Sequence, residues 1–295
     1  MPISRSSALY QASIGTLLLL VAATMLVPFL YIFAISFTDP EVYRSNTFIL
    51  WPERWSFAAY ELVLSGHGIV SALKASLFIT LIGTPMAVTV SSSFAYMLSK
   101  RSLPGRKTML NLIVFTLLFS PGLIPGYLLI KELHILDTWW SIILPGVTNA
   151  WTLLVMKSFF ESLPGELEEA AIMDGCNPLQ TYFHIILPLS KAPLAAFTLF
   201  FAVGYWNTYF NAVLYLNDVE KWPLQLFLQQ VINSASLELF ADPATLANLT
   251  QNKSPVPPEV VKMAAVIVVT LPILIVYPFL QKHFAKGVLI GSVKG

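Results

Sequence analysis

Long apolar runs separated by short polar connections dominate the chain. The six longest runs lie at about 14–37, 69–98, 109–130, 139–160, 188–214 and 260–284. Because about 20 apolar residues in a helix cross the hydrocarbon core of a bilayer, each run is long enough for a transmembrane helix. The first run exceeds the apolar segment of a signal peptide, so we expect it to remain as a helix. The pattern predicts an all-α integral membrane protein with six transmembrane helices, in a single domain over residues 1–295.

The distribution of Lys and Arg predicts how these helices are oriented. If both chain ends are cytoplasmic, the inner segments contain more Lys and Arg than the outer loops, mainly because of the connection SKRSLPGRK at 99–107. Cytoplasmic loops of membrane proteins are enriched in these two residues. We therefore predict an N-in, C-in orientation, with a cytoplasmic loop at 161–188 and a long outer loop at 215–259.

Composition agrees with a membrane protein and excludes several classes of site. Of the 295 residues, 56% are hydrophobic and 11% are charged, whereas soluble domains contain about 25% charged residues. A net charge of +1 offers no broad surface for nucleic acid. The one cysteine and four widely spaced histidines form neither a disulfide framework nor a set of metal ligands. We therefore expect no metal site and no nucleic-acid partner.

The predicted transmembrane segments lack the residues that ion-coupled carriers and membrane enzymes use. They contain no Asp or Glu, whereas a carrier driven by protons or sodium usually needs a buried ionisable group. The sequence also has no HExxH, no GxSxG and no phosphate-binding GxxxxGK[ST]. We therefore expect no catalytic residue and no cofactor in this chain. An ion-coupled secondary carrier stays an alternative, because backbone carbonyls alone can bind sodium.

The polar segment ELEEAAIMD at 166–174 predicts a short amphipathic helix in the cytoplasmic loop. Its acidic residues cluster at the N-terminal end, where they interact favourably with the helix dipole. Gly175 follows at the position where a chain leaving a helix turns through the left-handed region. One face of this helix consists of Leu167, Ala170, Ala171 and Asp174.

A second short helix is predicted directly afterwards. Asn177 is a good N-cap, Pro178 suits the first helical position, and Gln180 stands where a capping box needs it. Pro188 is expected to mark the start of the fifth transmembrane helix. A protruding helix–turn–helix suits docking into a groove on another protein, although it could also simply close a loop at the membrane surface. The apolar face of this second helix consists of Leu179, Tyr182, Phe183 and Ile186.

This polar segment resembles the EAA motif of ABC importer permeases. Every fixed position of the motif is matched, by Glu169-Ala170-Ala171, Asp174-Gly175, Ile185 and Leu187-Pro188. In that family the loop holds the coupling helix, which docks on the cytoplasmic ATPase. The resemblance implies that the segment links ATP hydrolysis to the membrane helices. It assigns ATPase coupling to Glu169, Ala170, Ala171, Asp174, Gly175, Tyr182 and Phe183.

Two further stretches resemble the carbohydrate importers of this family, in particular the smaller permease of the maltose-type importers. They are GYWNTYFNAVLYLND at 204–218 and HFAKGVLIGSVKG at 283–295. The resemblance implies a multi-pass subunit of the bacterial cytoplasmic membrane that imports an oligosaccharide, with alginate-type, uronate-containing oligosaccharides as one candidate. It also implies a second permease subunit, two cytoplasmic ATPase subunits that hold ATP and Mg²⁺, and an extracytoplasmic solute-binding protein. A permease for a non-sugar solute remains an alternative, because it would share the EAA loop.

Aromatic and amide side chains near the outer end of the fifth predicted helix are candidates for a sugar path. Aromatic faces stack on the apolar face of a sugar ring, and amides hydrogen-bond its hydroxyls. The same residues would also suit an aromatic belt at the membrane interface. The sequence SPGLIPG at 120–126 predicts a kink in the third helix, either at a gate or in a bent packing helix. The candidate substrate-path residues are Asn149, Trp206, Asn207, Tyr209 and Asn211.

Overall fold

A computed structural model describes residues 5–45, 47–65, 67–233 and 256–291 of the protein. The regular secondary structure of these residues is helical, and the β-type pairing found among them is a single isolated bridge between Thr38 and Trp55. The chain divides into two compact units. The first comprises Met1–Ile69 and Leu228–Leu271, and the second comprises Val70–Phe227 and Pro272–Gly295.

Fourteen α-helices lie within the described residues. Two 3₁₀ turns, Leu144–Gly146 and Val219–Lys221, and a π turn, Tyr182–Ile186, complete the regular structure. The helices are α1 (Arg5–Ser36), α2 (Ala58–Ser65), α3 (His67–Ser99), α4 (Arg106–Leu118), α5 (Leu123–Glu132), α6 (Trp140–Ile143), α7 (Ala150–Glu161), α8 (Glu166–Met173), α9 (Pro178–Thr181), α10 (Leu187–Leu189), α11 (Lys191–Trp206), α12 (Phe210–Tyr215), α13 (Leu224–Asn233) and α14 (Pro258–Gly291).

Three of these helices are long and apolar enough to cross a membrane by themselves, namely α1, α3 and α14. Three bent pairs meet the same criterion together: α4 with α5 at 119°, α6 with α7 at 45°, and the α9–α10 segment with α11 at 86°. The described part of the chain thus holds up to six membrane-crossing segments, which agrees with the number predicted. The prediction of an all-helical membrane protein is confirmed.

The bent pairs agree with the kink predicted in the third helix and correct the prediction that the fourth helix is continuous. The run predicted at 109–130 breaks after α4, because Phe119 is extended and Gly122 has a φ of +82°. The run predicted at 139–160 breaks after a 3₁₀ turn that contains Pro145, and α7 then restarts at its N-cap, Asn149. Proline removes a backbone donor and its ring crowds the preceding turn, so these breaks have a local cause.

The fifth predicted helix, 188–214, also differs from the structure. Helical backbone already runs from Pro178 through Pro188, and the sharp bend follows at Ser190 instead. The π turn before Pro188 widens the helix there and accommodates the proline ring. At the other end α11 stops at Trp206, and α12 restarts at Phe210. The run is therefore two helices rather than one.

The remaining boundaries differ less. The first helix begins at Arg5 rather than near residue 14, and the last runs from Pro258 to Gly291. The predicted outer loop, 215–259, contains α13 and a 3₁₀ turn rather than a plain connection. Residues 234–255, which hold most of its polar tract, lie outside the described residues. The tail at 283–295 is described as helical backbone up to Gly291, and residues 292–295 lie outside the description.

In the first unit, α1 exposes every residue from Tyr10 to Leu30, as expected for an apolar helix in contact with lipid. The chain that follows packs aromatic rings around the end of α1. Phe37 lies 5.6 Å from Trp55 and 4.7 Å from Tyr60 between ring centroids. Tyr60 also hydrogen-bonds Ser36 at 2.8 Å. This cluster fixes the start of α2 against the C-terminal end of α1.

In the second unit, α3 is the central helix of the core. Its fully buried residues Ile79, Ala87 and Ala95 belong to one cluster with side chains of α6, α7 and α11. Small residues let helix backbones approach closely in membranes, where packing rather than the hydrophobic effect drives association. A Cβ added at Gly83 of α3 would lie 2.9 Å from the ring of Tyr205 on α11, so this contact requires glycine.

Candidate functional site

The EAA loop has the local structure that its sequence predicts. α8 ends before Gly175, whose φ is +81°, and the N–H of Cys176 donates to the carbonyl of Ala171 at 2.9 Å. Asn177 and Gln180 form a reciprocal capping box, with both hydrogen bonds at 2.9 Å. This bonding closes each helix end without help from other segments. The shape of the turn between the two helices is therefore set by hydrogen bonds within the loop itself.

Burial divides the predicted coupling residues into two groups. Ala171 and Tyr182 are buried inside this chain. The second predicted face is also split, because Ile186 is buried with Tyr182 whereas Leu179 is exposed. The π turn shifts the helical register at this point, which a face drawn with regular α-helical spacing does not anticipate. The exposed predicted coupling residues are Glu169, Ala170, Asp174, Gly175 and Phe183.

Two apolar side chains that sequence reasoning missed stand at the tip of the loop. Ile172 is 65% exposed and Met173 is 87% exposed, and Leu179 and Phe183 of the next helix are exposed as well. The signal was present in the sequence, because Met173 falls on the opposite side of α8 from the buried Ala171 and Ile172 lies about 100° around the helix from it. We call these four exposed apolar side chains the loop tip.

Ion pairs connect the base of the loop to neighbouring helices. Glu168 of α8 pairs with Lys100, which follows α3. Arg106 at the start of α4 pairs with Glu161 at the end of α7, and Lys157 pairs with the same carboxylate at 2.8 Å. All five side chains are partly shielded from solvent, so these pairs are screened less than fully exposed ones. They fasten α3, α4, α7 and α8 at one end of the second unit.

A cavity of about 300 Å³ lies where two helix breaks face each other. One break separates α6 from α7, and the other separates α11 from α12. Two of the predicted substrate-path residues, Asn149 and Asn211, line this cavity together. The polar and aromatic side chains in its wall are Asn149, Trp151, Thr152, Phe200, Phe201, Tyr205, Thr208 and Asn211.

The other three predicted substrate-path residues do not line this cavity. Trp206 is buried, and its indole N–H has no hydrogen-bond partner among the described residues. Asn207 is exposed and accepts a hydrogen bond from Gln225 at 3.2 Å, while Tyr209 is 41% exposed. Because the helix stops at Trp206, the regular spacing assumed across residues 206–211 does not hold.

The cavity also contains residues that sequence reasoning missed, chiefly Trp151, Tyr205 and Thr208. Trp151 stands two residues after Asn149, so the run Thr-Asn-Ala-Trp-Thr at 148–152 was an available signal. Tyr205 gave no such signal. It lines the cavity because a contact with Gly83, distant in sequence, sets its position.

Polar side chains satisfy backbone groups that the break between α6 and α7 releases. The side chain of Asn149 accepts a hydrogen bond from the N–H of Thr152 at 2.9 Å. Ser91 of α3 donates to the carbonyl of Val147 at 3.0 Å, and the hydroxyl of Tyr205 donates to the carbonyl of Ile143 at 2.9 Å. Irregular backbone at membrane depth is tolerated where it is satisfied in this way or lines a cavity. The breaks thus provide a stable polar lining with amide and hydroxyl donors beside aromatic rings.

A second set of contacts joins the connection between α5 and α6 to the residues that follow α12. The sequence analysis did not predict these contacts. Asp137 adopts a φ of +55°, and its carboxylate accepts hydrogen bonds from the N–H groups of Asn217 and Asp218, each at 3.0 Å. Its other oxygen accepts from the ammonium group of Lys221 at 2.9 Å. The hydrogen bond from Lys221, followed by those from the backbone, lowers the pKa of the Asp137 carboxyl group.

No group of His, Cys, Asp and Glu within the described residues could hold a metal ion.

Comparisons with known proteins identify the family to which this chain belongs. Residues 56–290 match the family described as "Binding-protein-dependent transport system inner membrane component". The chain is 45% identical to the polygalacturonan/rhamnogalacturonan transport system permease protein YtcP of Bacillus subtilis, over 97% of this chain and 99% of that protein. It is 28% identical to the trehalose transport system permease protein SugB of Mycobacterium tuberculosis, over 98% of each.

The fold is likewise found in a solved structure. A chain in the crystal structure of a bacterial ABC transporter involved in the import of the acidic polysaccharide alginate matches with a TM-score of 0.86 and 33% identity, covering 95% of this chain and 98% of that chain. A match over this much of the chain decides against the ion-coupled secondary carrier and against a membrane enzyme. The chain therefore belongs to the inner membrane components of binding-protein-dependent transport systems, which are the permease subunits of ABC importers.

Proposed function

We propose that this permease imports uronate-containing oligosaccharides released from acidic polysaccharides, and that it forms half of the translocation path. The observation that carries the proposal is 45% identity, over nearly the whole of both chains, to a permease named for polygalacturonan and rhamnogalacturonan transport. The solved relative named for alginate import supports the same class, because alginate is also an acidic polysaccharide. Trehalose, named for a relative at 28% identity, is a neutral sugar and marks the alternative.

As a member of its family, the chain works with an ATPase and a solute-binding protein. We infer a complex in the bacterial cytoplasmic membrane that contains one second permease and two ATPase subunits, with ATP and Mg²⁺ held by the ATPases. The loop tip and the acidic residues Glu169 and Asp174 would face the ATPase. An exposed apolar tip on a stiff helix–turn–helix suits a groove on another protein, which supports this orientation.

The cavity between the two helix breaks is the part of the translocation path that we assign to this chain. Asn149 uses its side-chain oxygen as an N-cap, which leaves its NH₂ group to donate to a sugar hydroxyl. Asn211 and Thr208 add an amide and a hydroxyl on the facing segment. Trp151 offers a half-exposed ring on which the C–H face of a sugar can stack. Substrate sites of membrane transporters commonly form at such discontinuous helices.

Transport by the reconstituted complex tests this proposal. The chain, its partner permease and ATPase would be placed in proteoliposomes with the solute-binding protein, and ATPase activity would be measured with oligogalacturonate, alginate oligosaccharides, maltotriose and an amino acid. We expect stimulation by one of the two uronate oligosaccharides and not by maltotriose or the amino acid. Stimulation by maltotriose alone would overturn the uronate assignment, and stimulation by the amino acid alone would overturn the carbohydrate assignment.

A substitution in the cavity tests the residues. Trp151→Ala removes a stacking surface worth about 1 kcal/mol, which corresponds to roughly a five-fold loss of uptake at low substrate concentration. Trp55→Ala is a matched control that removes a partly exposed tryptophan that does not line the cavity. Equal uptake by the two variants would show that the cavity does not line the sugar path.

A further inference from the structure

Lys100 joins the EAA loop to α3 through two different contacts. Its ammonium group pairs with the carboxylate of Glu168 on α8. It also lies 3.9 Å from the centroid of the Tyr96 ring, one turn back along α3, in the geometry of a cation–π contact. Both charged side chains are 28% exposed, so the pair is shielded on most sides. One ammonium group is therefore held from two directions by two separate elements.

The same face of α3 holds the second helix of the loop. The ring of Tyr96 lies 5.1 Å from the ring of Tyr182, in the π turn after α9. The hydroxyl of Tyr182 is hydrogen-bonded to the hydroxyl of Ser92 at 2.6 Å, and both groups are buried. Both halves of the helix–turn–helix thus contact one stretch of α3, between Ser92 and Lys100.

Further along, α3 contacts both helix breaks that form the cavity. Ser91, next to the residue that binds Tyr182, donates a hydrogen bond to the carbonyl of Val147 and is hydrogen-bonded to the hydroxyl of Thr148, each at 3.0 Å. Gly83 packs against the ring of Tyr205, which lines the cavity. α3 contains one proline, Pro85, and the stretch from Ser91 to Ser99 is uninterrupted helix, so a displacement at the loop contacts is carried to Ser91.

We propose that Lys100, Glu168, Tyr96 and Tyr182 form a clamp that makes the EAA loop and α3 move as one body. Through the clamp, a displacement of the loop by the ATPase reaches the break between α6 and α7, where Ser91 holds the backbone. These four are positioning residues, since none of them touches the cavity. The inference rests on the proposed function in one respect, namely that the loop tip meets the ATPase.

A measurement that needs no knowledge of the sugar tests the clamp directly. Cys176, in the loop, is the chain's one cysteine, so Ser93→Cys on the exposed side of α3 creates a defined pair for spin labels. In the complete transporter we expect a single narrow distance distribution that is the same without nucleotide and with trapped ATP. Lys100→Met in this background should broaden the distribution or make it change with nucleotide. A distance that changes with nucleotide in the parent protein, or that ignores Lys100→Met, would overturn the clamp.

Transport efficiency gives the functional test. In proteoliposomes, Lys100→Met and Glu168→Gln should each lower the substrate taken up per ATP hydrolysed about five-fold. The double variant should be no worse than either single one, because the two side chains act through one contact. Lys100→Arg should retain most of the efficiency, since it keeps the charge and the cation–π contact. Lys107→Met removes an exposed cation nearby and is the matched control.

The outcomes separate the clamp from the proposed substrate. If the wild-type complex responds to none of the sugars, the substrate proposal fails, while the label distances still test the clamp. If the single variants lower only the melting temperature and leave uptake per ATP unchanged, Lys100 and Glu168 form an ordinary stabilising pair and the clamp is wrong. If both the distances and the efficiency respond as expected, the clamp stands whichever sugar is imported.

Discussion

The two ends of the second unit are fastened in different ways. At the EAA end, most bonds are local in sequence, such as the capping box of Asn177 and Gln180, and Lys100 and Tyr182 attach the loop to α3. At the opposite end, Asp137 binds the backbone and side chains of a segment some 80 residues further along the chain. The indole of Trp139 adds a hydrogen bond to the carbonyl of Lys221 at 3.0 Å.

This difference indicates what each end can do. A loop whose internal bonds are local can be pushed as a body, and its side-chain contacts with α3 carry that displacement into the helix. An end held by bonds between distant segments cannot separate without breaking several of them together. α3 connects the two, since Ser76 near its other end accepts a hydrogen bond from the N–H of Leu224 at 2.8 Å. We therefore expect substitutions at the EAA end to change coupling, and those at the Asp137 end to change stability.

The largest expected effect is that of Gly175→Val. With a φ of +81°, a β-branched residue at this turn costs about 1–2 kcal/mol or forces the turn to change. We expect the complex to assemble but to lose at least ten-fold in uptake, with ATPase activity that no longer responds to the solute-binding protein. Uptake into proteoliposomes and ATPase stimulation check this.

Gly165→Ala is the matched control for that substitution. Gly165 stands just before α8 with a φ of −63°, and a Cβ there would meet nothing within 4 Å. Its uptake should equal that of the wild type. Normal coupling in Gly175→Val, or an equal loss in both variants, would mean that the shape of the turn does not matter for transmission.

A smaller effect on uptake, together with a loss of stability, is expected for Gly83→Val. The added Cβ would lie 2.9 Å from the ring of Tyr205, so either the ring or α3 must shift, at a cost of about 1–3 kcal/mol. Because Tyr205 also bonds the carbonyl of Ile143, the shift should reach the cavity and lower uptake several-fold. Gly15→Val in α1 is the control, because a Cβ there meets nothing within 4 Å and Gly15 does not line the cavity. Equal melting temperatures for the two variants would contradict the tight contact.

Rules based on neighbouring residues predicted the local structure at the EAA end of the second unit. They did not predict the contacts at the Asp137 end. The turn at Gly175 and the capping box at Asn177 follow from short-range hydrogen bonds, so the residues themselves indicate them. Asp137 adopts its unusual backbone because three donors from another segment hold its carboxylate, and nothing near it in sequence announces those donors. Long-range partners of this kind are invisible to a reading of local pattern.

The six apolar runs illustrate the same limit. Their number was predictable, because hydropathy alone decides whether a segment enters the bilayer. Their breaks were only partly predictable: SPGLIPG indicated the first, whereas the stop at Trp206 was missed. That stop moved Tyr209 away from the expected face and left Asn149 and Asn211 as the predicted residues that share the cavity.

The smallest expected effect is on stability alone, at the Asp137 end. The pKa of Asp137 is lowered from its ordinary value of 3.8, chiefly by the hydrogen bond from Lys221. The stability it contributes is therefore present above that value and is lost as the pH falls through the lower folded pKa. The pKa of Lys221 is raised from 10.5, chiefly by the hydrogen bond to Asp137, so its contribution is present below that value and is lost as the pH rises through the higher folded pKa.

Asp137→Asn should therefore lower the melting temperature by a few degrees between about pH 5 and pH 9 and should flatten its decline in acid, because the neutral side chain cannot titrate. Uptake per ATP at neutral pH should stay at the wild-type level, since this end fastens segments and does not transmit the motion of the loop. Glu132→Gln is the control, because it removes an exposed acid that pairs with no described cation. Melting curves in detergent across pH, with uptake at pH 7, check both statements. A variant that melts like the wild type but transports poorly would reverse the comparison and place coupling at the Asp137 end.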